Sequence, residues 1–106
     1  MVTFEEFRKL ELKVAKILEV KDHPNAQKLF VLSIDLGDKT KQIVAGIKSS
    51  YKKEELVGKQ IIVVDNLEPA LLRGVESQGM LLACQDEAGI CIISPEREVR
   101  LGSSVK

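Results

Sequence analysis

Apolar and polar positions alternate with different periods in successive stretches of this chain, and each change of period marks a new element. Thr3 and Glu6 stand three residues apart at the start, a capping-box pattern that predicts a short helix over about 4–10. Phe4, Phe7 and Leu10 share a face of that helix by i, i+3 spacing, which reads as core or interface packing. From Leu10 the period becomes two. Leu10, Leu12, Val14, Leu18 and Val20 point one way, interrupted by Lys16; Glu11, Lys13, Glu19 and Lys21 point the other way, with Ala15 and Ile17 between them. Apolar residues on both faces at the middle of a long strand suit a barrel strand that bends. Asp22-His23-Pro24-Asn25 ends it with turn chemistry.

Phe30, Leu32, Ile34 and Leu36 alternate with Val31, Ser33 and Asp35, predicting a second strand. Gly37-Asp38-Lys39-Thr40 reads as a hairpin turn and Gln42-Ile43-Val44-Ala45 as the third strand. Ser49 or Ser50 is placed to cap a short helix through Lys52-Lys53-Glu54-Glu55-Leu56, closed by Gly58. The run Gln60-Ile61-Ile62-Val63-Val64 has the composition of a strand buried on both sides, and Asn66-Leu67-Glu68-Pro69 breaks it. Gly79 through Cys84 predicts a fifth strand and Ile90 through Ile93 a sixth, joined by a turn ending in Gly89. Three strands, a helix and two more strands form the order of a five-stranded OB-fold barrel, an all-β class. The N-terminal helix and the C-terminal extension from Asp86 embellish it, and are placed to supply a dimer contact.

The length of 106 residues fits one domain, 1–106, and no repeat or linker divides it. No apolar run is long enough to span a membrane, and the acidic start Met1-Val2-Thr3-Phe4-Glu5-Glu6 is not a signal peptide. A cytoplasmic protein is expected. Cys84 and Cys91 are separated by six residues with no nearby His, which does not make a zinc site; they read as reduced core thiols. If Glu87-Ala88 alone form the last loop the two cysteines face each other; a three-residue turn with a bulge puts them out of register. The pattern fits either turn.

Net charge is zero, which by itself argues against a nucleic-acid partner. The distribution changes that picture: residues 8–59 hold twelve Lys and Arg against seven acids, whereas residues 60–106 hold four against seven. A segregated pattern offers phosphate one favourable face. Aromatics are few (Phe4, Phe7, Phe30, Tyr51), so the core rests on Val, Ile and Leu, and base stacking has few platforms.

Nothing in the sequence assembles a catalytic, metal or cofactor site. His23 is the one histidine, sits in a turn beside Asp22, and reads as structural or solvated; the glycines are dispersed and cradle no phosphate. Two segments carry more than barrel upkeep requires. His23 through Leu29 places Lys28 at the mouth of the second strand. Arg73-Gly74-Val75-Glu76-Ser77-Gln78-Gly79-Met80 combines a cation, a hydroxyl, an amide and a pliable thioether that can lie against a base or ribose. On residue chemistry alone this loop serves equally as a plain connection or as a ligand site.

In order along the chain, Leu12-Lys13-Val14-Ala15-Lys16-Ile17, Asn25-Ala26-Gln27-Lys28-Leu29, Val44-Ala45-Gly46-Ile47, Glu55-Leu56-Val57-Gly58-Lys59, Asn66-Leu67-Glu68-Pro69 and Glu76-Ser77-Gln78-Gly79-Met80 make a specific pattern. It resembles the tRNA-binding domain found at the C-terminus of bacterial and archaeal methionyl-tRNA synthetases, in free-standing tRNA-binding proteins and in synthetase-associated factors. The resemblance implies an OB fold, a homodimer, and recognition of folded tRNA by shape without catalysis. It puts tRNA contacts on Lys28, Ser77 and Met80, with Arg73, Gln78, Asn25, Lys41 and Lys48 assisting. Around Pro69, where family members carry basic residues, this chain has Glu68 and Ala70 and keeps only Arg73.

The expected arrangement has Lys28, Lys41, Lys48 and Arg73 ringing the face of strands 2 and 3 while Ser77 and Met80 touch the nucleotide. The start at Met1, directly before the capped helix, fits an independent or separately encoded subunit, and the resemblance implies a role in tRNA capture by methionyl-tRNA synthetase, as its beta subunit or C-terminal domain. A module that docks synthetases or binds polypeptides in a chaperone-like way is the competing expectation.

Overall fold

The computed structural model describes all 106 residues. Helix α1 (Phe4–Arg8) begins at the predicted capping box: the Thr3 hydroxyl accepts from the Glu6 amide at 3.1 Å, and the Glu6 carboxylate accepts from the Thr3 amide at 3.2 Å. Its Phe4, Phe7 and Leu10 stripe is exposed and takes no part in the core, which decides against the core half of the expectation.

Strand β1 (Leu12–Asp22) is the spine of the barrel. Its first half pairs with β4 (Gln60–Val64) and its second with β2 (Phe30–Asp35), both antiparallel. The register with β2 slips between Ile17 and Glu19. That bulge moves the inward phase from Ala15 and Ile17 to Val20, which explains why a strict alternation fails along this strand. β3 (Thr40–Ala45) pairs with β2, and β7 (Met80–Leu81) pairs with β4, giving the order β3-β2-β1-β4-β7. The Gln78 amide donates to the Gln42 carbonyl at 2.8 Å and so nearly closes the sheet on itself. The result is an OB-like five-stranded barrel. Leu32, Ile34, Ile43, Ile61 and Val63 fill it, with Phe30 the one fully buried aromatic.

Helix α2 (Lys53–Leu56) lies between β3 and β4 as expected and plugs the barrel with Leu56. Its cap differs from expectation. The helix starts after Lys52, whose amide donates to the Glu55 carboxylate at 2.8 Å, while the Ser50 hydroxyl accepts from the Ile90 amide at 3.0 Å. The Ser50 side chain is taken by a tertiary contact and is not available to the helix.

Two hairpins differ from the predicted strands. β5 (Ala70–Leu72) and β6 (Val75–Ser77) form a small hairpin where a loop was expected. Its two-residue turn, Arg73 at φ 54 and Gly74 at φ 90, has the positive dihedrals of a type I′ turn. The strand expected over 79–84 divides: after β7 the chain leaves the barrel, and β8 (Ala83–Asp86) pairs with β9 (Gly89–Ile92) as a separate ribbon. That ribbon turns Ile90 and Ile92 against the core, so Cys84 and Cys91 face outward. Both thiols are exposed surface residues, not the core residues expected.

The tail returns along β1. The Gln60 side chain clamps Val99 through its carbonyl (2.6 Å) and its amide (2.9 Å). Beyond it, Gly102 donates to the Val14 carbonyl at 2.8 Å and Val105 to Leu12 at 2.9 Å, which covers Val14. Gly102 sits at φ 85, and a Cβ there would lie 2.5 Å from the Leu36 carbonyl oxygen. Only glycine lets the tail pass.

Candidate nucleic-acid interface

The two segments singled out in the sequence meet in space. His23 is buried at the end of β1, where its Nδ1 accepts from the Asn25 amide at 2.9 Å. An accepting Nδ1 leaves the proton on Nε2, which donates to the Leu72 carbonyl at 2.8 Å. Asn25 Nδ2 donates to the Arg73 carbonyl, and Arg73 Nη2 to the Asn25 carbonyl, both at 3.3 Å. The β1–β2 loop is thus latched to the β5–β6 hairpin. His23 is structural, as expected, but its role as the latch was not visible in the sequence.

Ser77 departs from expectation. Its side chain is buried, and its hydroxyl accepts from the Val44 amide at 2.9 Å while donating to the Gly79 carbonyl at 2.9 Å. The hydroxyl's proton and one lone pair are engaged inside the protein, and its burial turns it away from a ligand. Its work is to hold the chain ahead of Met80 against β3. Gly79 completes the device: a Cβ there would stand 3.0 Å from the Val64 carbonyl oxygen and 3.6 Å from Ile43 Cγ2. The next residue, Met80, is 49% exposed at the start of β7. Met80 borders an apolar groove with Val44, Ile47 and Leu82.

The lysines divide in the same way. Asp65, buried at the end of β4, gathers three ammonium groups: Lys41 at 2.7 Å, Lys39 at 3.0 Å and Lys13 at 3.4 Å. Lys41 meets Oδ1 as a charge pair without an aligned hydrogen bond, and donates instead to the carbonyls of Asp65 (2.8 Å) and Gln78 (3.3 Å). Burial pushes the Asp65 carboxyl up, but the lysines outweigh it and hold it at about 2, against an ordinary 3.8. Asp65 in turn raises Lys39. Lys41 is a strut, then, and does not stand on the open face as expected. No sequence signal marked Asp65, which ends an apolar run.

Lys48 lies 3.0 Å from Asp22, 5.9 Å from the Phe30 ring centroid, and beside Lys53, which also reaches Asp22 at 2.9 Å. These two lysines lower the Asp22 carboxyl. These pairs are solvent-facing, and surface ion pairs of this kind hold only weakly. Gln78 uses its Oε1 to accept from the Gln42 amide at 2.9 Å, which leaves its Nε2 unengaged. Lys28 and Arg73 are exposed and pair with no carboxylate.

Of the eight expected contacts, Lys28, Arg73, Asn25, Met80 and the Gln78 amide present usable chemistry outward. Lys48 does so after giving up Asp22. Ser77 and Lys41 hold the others in place. Exposed cations, an exposed thioether and a free amide donor are the chemistry that suits a phosphate backbone with partly accessible sugars and bases.

The sequence model described as "Putative tRNA binding domain" matches residues 12–104. The methionine–tRNA ligase of Pyrococcus horikoshii is 55% identical over 105 residues, covering 99% of this chain and 14% of the ligase; that of Thermococcus kodakarensis is 53% identical with the same coverage. The chain therefore spans about one seventh of the length of these relatives. Among solved structures, a MetRS-related protein from Pyrococcus horikoshii superposes with a TM-score of 0.92 at 36% identity, over 100% of this chain and 98% of that one. The CsaA chaperone protein from Picrophilus torridus superposes at 0.93 with 31% identity over 100% of both chains. The match over most of its length and the pairwise identities place this chain in the tRNA-binding-domain family.

Proposed function

We propose that the chain is a non-catalytic module that binds folded tRNA by contour, through the patch where the β1–β2 loop and the β5–β6 hairpin are latched together, and so aids tRNA capture by methionyl-tRNA synthetase in the cytoplasm. The observation that carries this reading is the reciprocal bonding of Asn25 and Arg73, which latches the β5–β6 hairpin to the loop that also bears the exposed, unpaired Lys28. The relatives' names supply the enzyme. With few free cations per chain, affinity is weak, on the order of micromolar, with a log–log salt slope of roughly −2 to −3. A homodimer, for which the exposed Phe4, Phe7 and Leu10 stripe is available, doubles the patches and raises effective concentration.

The test is a titration with folded tRNA, unfolded RNA and duplex DNA under one salt condition. Preference for folded tRNA supports the reading; equal affinity for all three contradicts it. The likeness to the CsaA chaperone protein and the apolar groove beside Met80 favour a second reading, binding of extended apolar polypeptide. Binding of a denatured client with no measurable affinity for tRNA selects that alternative.

A further inference from the structure

The register of the last hairpin makes a site of its two thiols. β8 and β9 place Cys84 directly opposite Cys91, across the two-residue loop Glu87-Ala88. The ladder fixes the type of pair. Ile93 donates to the Leu82 carbonyl at 3.0 Å, so that position is hydrogen-bonded across the ribbon. The amides of Ile92 and Ile90 point away from the ribbon, to the Tyr51 hydroxyl and the Ser50 hydroxyl, both at 3.0 Å. Alternation then makes Cys84–Cys91 a hydrogen-bonded pair, with Cα atoms about 5.5 Å apart. That separation lies inside the range of roughly 4.4–6.8 Å that a disulfide spans. Because Ile90 and Ile92 face the core, period two sends both cysteines to the outer face, where they are exposed. No third His, Cys, Asp or Glu joins them as a metal-holding group.

We propose that Cys84 and Cys91 form a reversible dithiol–disulfide site whose co-substrate is a low-molecular-weight disulfide of the oxidised-glutathione class. One cysteine, as its thiolate, attacks a sulfur of the oxidant; the oxidant's S–S bond breaks and one glutathione leaves, taking up a proton. The second cysteine, having released its proton, attacks the protein sulfur of that mixed disulfide. The Cys84–Cys91 bond forms and the second glutathione departs. The protein loses two electrons and two protons, and the oxidant gains both.

The bridge is labile. Opposed Cβ atoms in a ladder lie about 4.5–5.5 Å apart, more than the roughly 3.5–4.5 Å of a relaxed disulfide, so closure must pinch the ribbon. Only six residues lie between the two cysteines, so the cross-link removes little chain entropy. A strained, exposed bridge of this kind is easily reduced and acts as a switchable modification.

The experiment treats the full reduced chain with mixtures of oxidised and reduced glutathione, then measures intact mass and free thiols. The expected product has lost two hydrogens and both thiols together, migrates as a single chain without reductant, and reverts with excess reduced glutathione. Persistent glutathione adducts, cross-links between chains or unreacted thiols would each overturn the proposal. Cys84→Ser and Cys91→Ser, first checked for an unchanged urea midpoint, are each expected to stop at one glutathione adduct. A two-hydrogen loss in either variant would also overturn it.

Discussion

Replacing Asp65 by Asn removes the charge that three lysines share while keeping the shape of the side chain. Asp65 is almost wholly buried, and its carboxyl is held at about 2 instead of 3.8. At about 1.4 kcal/mol for each tenfold change in the proton equilibrium, that depression stabilises the fold by about 2 kcal/mol near neutrality. The Asp65→Asn substitution also leaves Lys13, Lys39 and Lys41 crowded without the counter-charge they share, which raises the expected loss to roughly 2–4 kcal/mol. A loss of about 2 kcal/mol alone lowers Tm by roughly 10 °C in a domain of this size. The pH dependence distinguishes charge from packing. A carboxyl whose folded value lies below its unfolded value stabilises fully above the unfolded one, and the benefit fades as pH falls from about 4 to about 2. The gap between wild type and Asp65→Asn should therefore be widest near neutral pH and shrink as pH approaches about 2. Urea unfolding followed by far-UV circular dichroism measures it, since the chain has no Trp for fluorescence. Equal stability of the two proteins at neutral pH, or a gap unchanged at the acid end of that range, refutes the charge argument.

Other perturbations separate struts from contacts. Ser77→Ala removes the buried hydroxyl that serves Val44 and Gly79, and is expected to cost about 1–3 kcal/mol in urea unfolding. Met80→Ala, by contrast, leaves the urea midpoint nearly unchanged and weakens tRNA binding several-fold in a titration. Gly79→Ala forces a Cβ toward the Val64 carbonyl and should lower stability by about 1–3 kcal/mol, since backbone must give way. His23→Ala unlatches the two loops and should speed amide exchange in the β5–β6 hairpin while the barrel strands stay protected. Lys28→Ala and Arg73→Ala should each weaken binding to all folded tRNAs alike and flatten the salt slope by about one.

The barrel was legible because its signals are local and repeated. Alternation in β2, the apolar run of β4 and the Thr3–Glu6 capping box each name their element from adjacent residues. The β5–β6 hairpin was not, because its exposed Leu71 and Leu72 carry no inward–outward alternation and Arg-Gly is a weak turn signature. The site was half legible. Sequence chemistry picked out the two segments that meet, but could not say which polar groups would be consumed by the fold. A serine and a lysine look alike whether they face a ligand or brace a backbone. That depends on Val44, Gly79 and Asp65, which are distant from Ser77 or Lys41 in sequence or carry no mark of their role. The cysteines were misplaced for a related reason: 79–84 reads as one barrel strand, whereas the chain leaves the barrel after Leu81 and β8 pairs with β9 as a separate ribbon with one side open to solvent.

The most direct test of the latched patch as an RNA-binding surface is to follow backbone amide resonances of the chain as folded tRNA is added. The largest changes are expected at Asn25, Lys28, Arg73, Gln78 and Met80, with α1 and the β8–β9 ribbon nearly silent. Changes centred on α1 and the C-terminal tail, with Lys28 and Arg73 unmoved, would contradict it.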